Sequence, residues 1–392
     1  MASSESFGAF LVFLLSTKCN LECVYCNVDA GPHGFRPVLD PRLVERWLEA
    51  FAGLGASQIG IQFHCGEPLI VDPPVEIFGV IARNTLARFP GATLTTMNVQ
   101  SNGVVLDDKR IRSLARAGIR VHLSIDGPAG IHDSQRPAAQ GRGSHCEALQ
   151  AHHRLRSHGD NSGVISVVTD PVQVVPTVQF FLEEGFHEAV MNPVRPEGRG
   201  AGYRKFEEPE FMRDMAREFA SAASLIAAYN ASSPNRPFIE HNLAGIMDSL
   251  IAPGSEPAGF HWTFLIDGKG QLWAHPGSYG ITSRQLTQGE LPNREVLRSA
   301  LGLDASSVAN GGVVDGLRLL RDRLFSACRV CKSPDFCIPY YGPNHEEDRL
   351  GPLCIWRSEL TIRLHAWLQE QPEMARLITR GHRTADYALE AQ

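Results

Sequence analysis

Between residue 9 and about residue 193, short apolar, β-branched runs alternate one for one with longer stretches of helical period. Residues 10–15, 58–63, 93–99, 120–125, 164–168 and 188–191 read as strands. Residues 40–54, 74–88, 107–117, 145–157 and 173–184 read as the helices between them, several introduced by Asp, Pro or Ser. Strict alternation of this kind requires right-handed crossovers and a parallel sheet. Six units predict an α/β fold, a partial (β/α)6 TIM-like barrel, with a sixth helix at about 207–229.

The Ser-Ser-Pro-Asn-Arg-Pro loop at 232–237 reads as a boundary. We therefore expect a barrel over 1–235, a smaller C-terminal domain over 236–356, and a helix and tail over 357–392, the helix at 356–380. In the second unit, residues 264–266 and 271–273 flank Asp267-Gly268-Lys269-Gly270 and predict a β-hairpin. At 392 residues and 43% hydrophobic, the chain can fill two such cores. Its net charge of −6 comes without any block of Lys or Arg, which argues against a nucleic-acid partner. The apolar run at 10–15 is too short to span a bilayer and lacks the basic flank of a signal peptide, so we expect no membrane segment and a cytoplasmic location.

Seven of the nine cysteines fall into two tight groups, which points to metal thiolates in a reducing compartment rather than disulfides. Cys19-x3-Cys23-x2-Cys26 follows the first strand, where a parallel barrel presents its active-site loops. Three thiolates leave one iron of a [4Fe–4S] cube without a protein ligand. Zinc would require a fourth donor, for which His33 is available, and a ferredoxin-type cluster a fourth cysteine.

At these residues the chain resembles the radical S-adenosylmethionine (SAM) superfamily, whose signature has this spacing with an aromatic residue, here Tyr25, before the third cysteine. The resemblance implies that the open iron takes the amino and carboxylate groups of SAM, and that a 5′-deoxyadenosyl radical then removes a hydrogen atom from the substrate. Cys65-Gly66-Glu67-Pro68 looks like the family's Gly-Gly-Glu-Pro motif, whose carboxylate receives the methionine ammonium; Cys65 departs from the usual glycine. Ser101 and Asn102 after the third strand, and Ser124 and Asp126 after the fourth, lie where family members hold the methionine carboxylate and ribose hydroxyls. Arg136 reads either as a partner for a carboxylate of SAM or substrate or as a solvated loop arginine. Cys65, Asn192 and Arg195 are candidates for facing the substrate. Cys146, at a helix start, reads as an ordinary thiol.

Cys328-x2-Cys331-x5-Cys337, with Cys354 after sixteen further residues, supplies four thiolates, enough to close an iron-sulfur cluster or a zinc site. This region is similar to the SPASM extension of peptide-modifying members, with Tyr341 where the x3-Cys stands and His275 where the hairpin cysteine stands. No cysteine occurs between Cys146 and Cys328, so the resemblance implies one fully ligated auxiliary [4Fe–4S] cluster and two clusters in all. Pro276 occupies the place of the acid that serves as base in sulfatase maturases, which counts against that reaction.

Members with this architecture mostly modify ribosomally made precursor peptides. The expectation is an oxidative peptide maturase forming a C–C (cyclophane) or C–S cross-link. Its partner would be an external one-electron reductant of flavodoxin or ferredoxin type; since only a short stretch precedes the first strand, the precursor is expected to bind on the barrel and C-terminal domain or through a separate leader-binding protein. The alternatives are a SAM-radical dehydrogenase or epimerase acting on a sugar, aminocyclitol or peptide, and a non-catalytic metal-binding protein.

Overall fold

The computed structural model describes residues 7–34, 38–138, 141–160, 163–195, 197–252, 262–274, 285–303 and 351–379, and the helical positions 313, 316, 317, 319 and 320. Cys328, Cys331, Cys337, His275, Pro276 and Tyr341 lie outside the described residues.

Six parallel strands, β1 (Phe7–Leu14), β2 (Ala56–His64), β3 (Thr93–Ser101), β4 (Arg120–Ser124), β5 (Val164–Val168) and β6 (Glu188–Pro193), stand side by side in chain order. Helices α1 (Pro41–Leu54), α2 (Val75–Leu86), α3 (Asp108–Arg116), the pair α4 (Ala129–Gln135) and α5 (His145–Ser157), α6 (Val174–Glu184) and α7 (Pro209–Ser232) follow β1 to β6 in turn. This is the expected partial barrel, and its local signals operate as written in the chain. The Asp40 carboxylate caps α1 by accepting from Arg42 N–H, Pro41 opens that helix, and Gly55 ends it at φ 104°. Alternation of side chains along each strand sends one set outward onto the helices. Phe13, Phe63 and Phe78 pack in sequence from β1 through β2 to α2 as tilted rings, with centroids 6.2 and 6.0 Å apart. Each such side chain contributes roughly 1.5–3 kcal/mol through burial. The other set faces the barrel interior and is mixed in character: Asn98 and Gln100 on β3 are buried and polar, whereas Val12 and Leu14 on β1 form an apolar cluster with Cys65, Leu265 and Trp273.

The sheet is longer than six strands. A two-residue β7 (Ile239–Glu240) extends it beyond β6 and leads into α8 (His241–Ile251). On the other edge β8 (Trp262–Ile266) runs parallel to β1, with Leu11 opposite Phe264, and β9 (Leu272–Trp273) returns antiparallel to β8. These last two are the expected hairpin, and they are hydrogen-bonded into the barrel sheet. The Asp267 carboxylate shapes the turn by accepting from Lys269 and Gln271 N–H, and Trp47 on α1 donates its indole N–H to Gly270 O at 2.9 Å.

The C-terminal helix runs over Pro352–Glu370, earlier than expected because Pro352 supplies its first turn. It stops at Gln371 because Pro372 disfavours helical φ/ψ in the residue before it; a short helix, Pro372–Arg376, then resumes. Trp356 meets Phe219 of α7 edge-on at 5.2 Å. Asn230 of α7 donates to both Phe238 O and Leu377 O, which ties this end of the described chain to the barrel. Among the described residues no helix is long and apolar enough to cross a membrane.

Candidate functional site

The cysteine loop leaves β1 and folds back on itself. Cys19 N–H donates to Gly31 O at 3.0 Å and Gly31 N–H to Thr17 O at 3.1 Å, while Glu22 and Val24 N–H donate to Pro137 O and Gln135 O at the end of α4. Cys19 is buried and Cys23 and Cys26 half-buried. Two of the sulfurs accept backbone hydrogen bonds, Cys19 Sγ from Leu21 N–H at 3.4 Å and Cys26 Sγ from Ala30 N–H at 3.2 Å. Burial pushes the Cys19 thiol up to about 12 and the Cys23 thiol to about 11. A metal must therefore displace their protons. Among the described residues no three His, Cys, Asp or Glu side chains converge on a point where one ion would sit, and His33 is exposed. Three thiols on one loop, with His33 exposed, are one donor short of a closed structural zinc site.

Glu67 lies directly across from this loop. The chain enters it through two successive left-handed residues, Cys65 at φ 73° and Gly66 at φ 57°. A Cβ on Gly66 would sit 2.2 Å from Lys18 O, so only glycine lets the two segments meet. Cys65 carries a side chain where glycine is preferred, a strain of about 1–3 kcal/mol. The fully buried Glu67 carboxylate accepts from Leu69 N–H (3.0 Å), Ser101 Oγ–H (2.9 Å) and Asn102 N–H (2.7 Å). Burial outweighs these three bonds and raises its pKa to about 7. Asn102 also reaches the cysteine loop, its Nδ2 lying 2.7 Å from Asn20 Oδ1 and 3.8 Å from Cys19 Sγ.

The residues after β4 form a second buried centre. Asp126 accepts five hydrogen bonds: from Tyr25 O–H (2.6 Å), Gln135 Nε2 (3.2 Å), Arg136 Nε and Nη2 (2.8 and 3.0 Å) and Val167 N–H (2.9 Å). Arg136, read from the sequence as a partner for a carboxylate of SAM or substrate or as a solvated loop arginine, is thus engaged bidentately with a carboxylate of its own chain, its guanidinium carbon 5.4 Å from the Tyr25 ring centre. The aromatic residue beside the third cysteine is thereby fixed to β4. Ser124 accepts from Gln100 Nε2 at 2.7 Å.

His64 was not anticipated. Its Nδ1 lies 3.1 Å from Cys65 Sγ, and burial, reinforced by the cations of Arg195 and Arg136, lowers its pKa to about 4. Arg195, beyond β6, therefore acts on the same interior as His64 on β2. Asn192 lies on the β6 face opposite buried Ala189 and Met191. Cys146 is exposed, and Cys354 lies in the first turn of the helix Pro352–Glu370. Sequence reasoning also passed over Arg199, whose guanidinium holds the cysteine loop; its only signal was the flanking glycines of Gly198-Arg199-Gly200.

A parallel partial barrel with a three-cysteine loop beyond its first strand and a buried Glu beyond its second offers thiolates to an iron-sulfur cluster and a carboxylate to a cationic or N–H-bearing ligand. Residues 13–173 match the family model described as the Radical SAM superfamily, and the chain carries a radical SAM domain. It is 26% identical over 260 residues to an uncharacterised Synechocystis protein, covering 57% of this chain and 62% of that one. It is 25% identical over 183 residues to a serine-type anaerobic sulfatase-maturating enzyme of Bacteroides thetaiotaomicron, covering 45% and 44%. The chain spans between 44% and 62% of the length of the first curated relatives it matches. Its fold is that of anSMEcpe solved with bound AdoMet, with a TM-score of 0.71 at 16% identity, covering 96% of this chain and 98% of that one. With AdoMet and the Cp18Cys peptide the same protein matches with a TM-score of 0.68 at 16% identity, covering 95% and 100%.

Proposed function

We propose that this chain is a radical SAM peptide maturase in which Cys19, Cys23 and Cys26 hold a [4Fe–4S] cluster. The observation that carries the reading is the position of Asn102, which touches the Glu67 carboxylate with its backbone and the Cys19 sulfur with its side chain. An amino acid head group held between the cysteine loop and Glu67 would meet the carboxylate with its amino N–H groups. When bound, cluster and SAM supply a 5′-deoxyadenosyl radical that removes a hydrogen atom from the substrate. Glu67 as an anion accepts from the amino N–H groups, Ser101, Asn102 and Ser124 offer hydrogen bonds to the carboxylate and ribose, and the Asp126–Arg136 pair fixes Tyr25 beside the cysteine loop.

The barrel interior favours a peptide over a sugar. Asn98 Oδ1 and Gln100 Oε1 are buried on β3 without hydrogen-bond partners among the described residues, suited to accept N–H or O–H donors, so the preference for a peptide rests on the apolar wall opposite. On the β1 side the wall is Val12, Leu14, Leu265 and Trp273, suited to an apolar side chain. The sulfatase-maturating relative and the peptide-bound anSMEcpe also act on or bind polypeptides by their descriptions. The finer reading is an oxidative cross-link, C–C or C–S. In it Cys328, Cys331, Cys337 and Cys354 would hold an auxiliary cluster able to accept the surplus electron, with residues 1–235, 236–356 and 357–392 as barrel, auxiliary domain and C-terminal segment. A flavodoxin- or ferredoxin-type reductant, a leader-binding partner and a cytoplasmic location complete it. A second reading, peptide epimerisation, is favoured by the buried Cys65 thiol against His64, a source of a hydrogen atom that an external reductant would restore.

Anaerobic reconstitution tests the class. About eight irons per chain and 5′-deoxyadenosine from SAM plus reductant are expected; bound zinc without SAM cleavage overturns it. Mass spectrometry of a co-expressed precursor peptide then separates the reactions. Loss of two hydrogens supports the cross-link; unchanged mass in water with deuterium uptake in heavy water supports epimerisation.

A further inference from the structure

The cysteine loop is gripped from the far side of the barrel. Beyond β6, Arg199 Nε donates to Cys23 O at 2.8 Å, Nη2 to Ala30 O at 2.6 Å and Nη1 to Asp29 Oδ1 at 2.6 Å, and its backbone N–H donates to Cys26 O at 3.0 Å. One residue thus bonds to both ends of the segment that carries the second and third cysteines. The two flanking glycines make the approach possible. A Cβ on Gly198, at φ 55°, would lie 2.4 Å from Cys26 O, and one on Gly200 would lie 2.1 Å from Arg195 O.

We infer that Gly198-Arg199-Gly200 is a clamp that holds Cys23 and Cys26 in place before a cluster is loaded and slows its loss afterwards. Arg199 is a positioning residue, acting through the loop carbonyls. A guanidinium fork meets two carbonyls and a carboxylate in fixed directions, which an ammonium group does not reproduce. The partner Asp29 is exposed, so that ion pair adds little and the carbonyl bonds carry the effect. The loaded-state half of the inference rests on the cluster reading above; the empty-state half does not.

Hydrogen exchange of the metal-free protein is the first test, comparing wild type with Arg199→Gln, Arg199→Lys and Asp29→Asn. Amides of Cys26, Asp29 and Gly31 should exchange about tenfold faster in Arg199→Gln, by an intermediate factor in Arg199→Lys, and at nearly the wild-type rate in Asp29→Asn. Amides of β3 should not change. Unchanged exchange at the loop in Arg199→Gln, or an equal rise throughout β3, overturns the clamp. The second test is iron release from reconstituted protein to a chelator, expected to be several-fold faster in Arg199→Gln; equal release rates overturn the loaded-state half. If wild type takes up no iron, the cluster reading fails while the exchange test still decides the clamp.

Discussion

Replacing Asp126 with Asn asks whether the buried centre after β4 is structural. The carboxylate takes five donors, three on Oδ2 and two on Oδ1, and it neutralises Arg136, which is 8% exposed. An asparagine keeps the shape but turns one oxygen into a donor, so at least two N–H or O–H groups face another donor and the guanidinium charge is stranded. Breaking a buried pair in this way costs about 3–5 kcal/mol, a large fraction of the roughly 5–15 kcal/mol that holds a typical domain. Arg136→Met is milder. Asp126 keeps Tyr25, Gln135 and Val167 as donors, and the loss is about 1.5–3 kcal/mol for charge-assisted bonds. Denaturant unfolding of metal-free protein, extrapolated to water, reads both, and the double variant should cost at least about 1 kcal/mol less than the sum. Asp126→Asn within about 1 kcal/mol of wild type, or Arg136→Met costing more than Asp126→Asn, refutes the reasoning. A role for Arg136 in gripping SAM would instead leave stability nearly intact and lower SAM affinity.

Four further outcomes are expected. Glu67 keeps its proton up to about pH 7 in the folded chain against an ordinary 4.5, so between these values the unfolded chain is the more deprotonated. Stability falls as pH rises through that window, and Glu67→Gln flattens the slope of urea midpoints against pH. Amino N–H donors placed against Glu67 favour its anion, so SAM affinity by calorimetry should weaken as pH drops below about 7 in wild type and lose that dependence in Glu67→Gln. Gly66→Ala adds a Cβ against Lys18 O at a left-handed φ; stability from thermal unfolding should fall by at least about 2 kcal/mol and iron uptake should fail. Cys65→Gly relieves backbone strain and should lie within about 1 kcal/mol of wild type, whereas Cys65→Val, β-branched at positive φ, should cost at least about 2 kcal/mol.

The alternation of apolar runs located β1 to β6 and their helices because each strand buries its outward set under the helix that follows, a pattern local in sequence. Cys19, Cys23, Cys26, Glu67, Ser101 and Asn102 were legible for the same reason, being short motifs at strand ends, and the structure brings them within a few hydrogen bonds of one another. Partnerships across the chain were not legible. Nothing in the spacing says that Asp126 and Arg136 face each other across a short helix, or that Tyr25 closes on them from 101 residues away. Arg199 looks like any loop arginine until its carbonyl partners, about 170 residues earlier, are in view. The hairpin was visible from its turn, but its lateral pairing with β1 depends on backbone groups that every residue possesses.

That pairing bears on how the chain is made. β1 is flanked by β2 on one side and, on the other, by β8, which starts at residue 262. At the roughly 5–20 residues per second of protein synthesis, about 250 residues separate the emergence of the two strands by roughly 12–50 s. Throughout that interval Phe-Gly-Ala-Phe-Leu-Val-Phe-Leu, uncharged and free of proline, has one unpaired backbone edge on a nascent sheet. The emerging polypeptide therefore passes through a stage in which an uncharged, apolar strand is open to other chains, and a chaperone that covers strand edges would raise the yield of folded protein more than one that only shields helices.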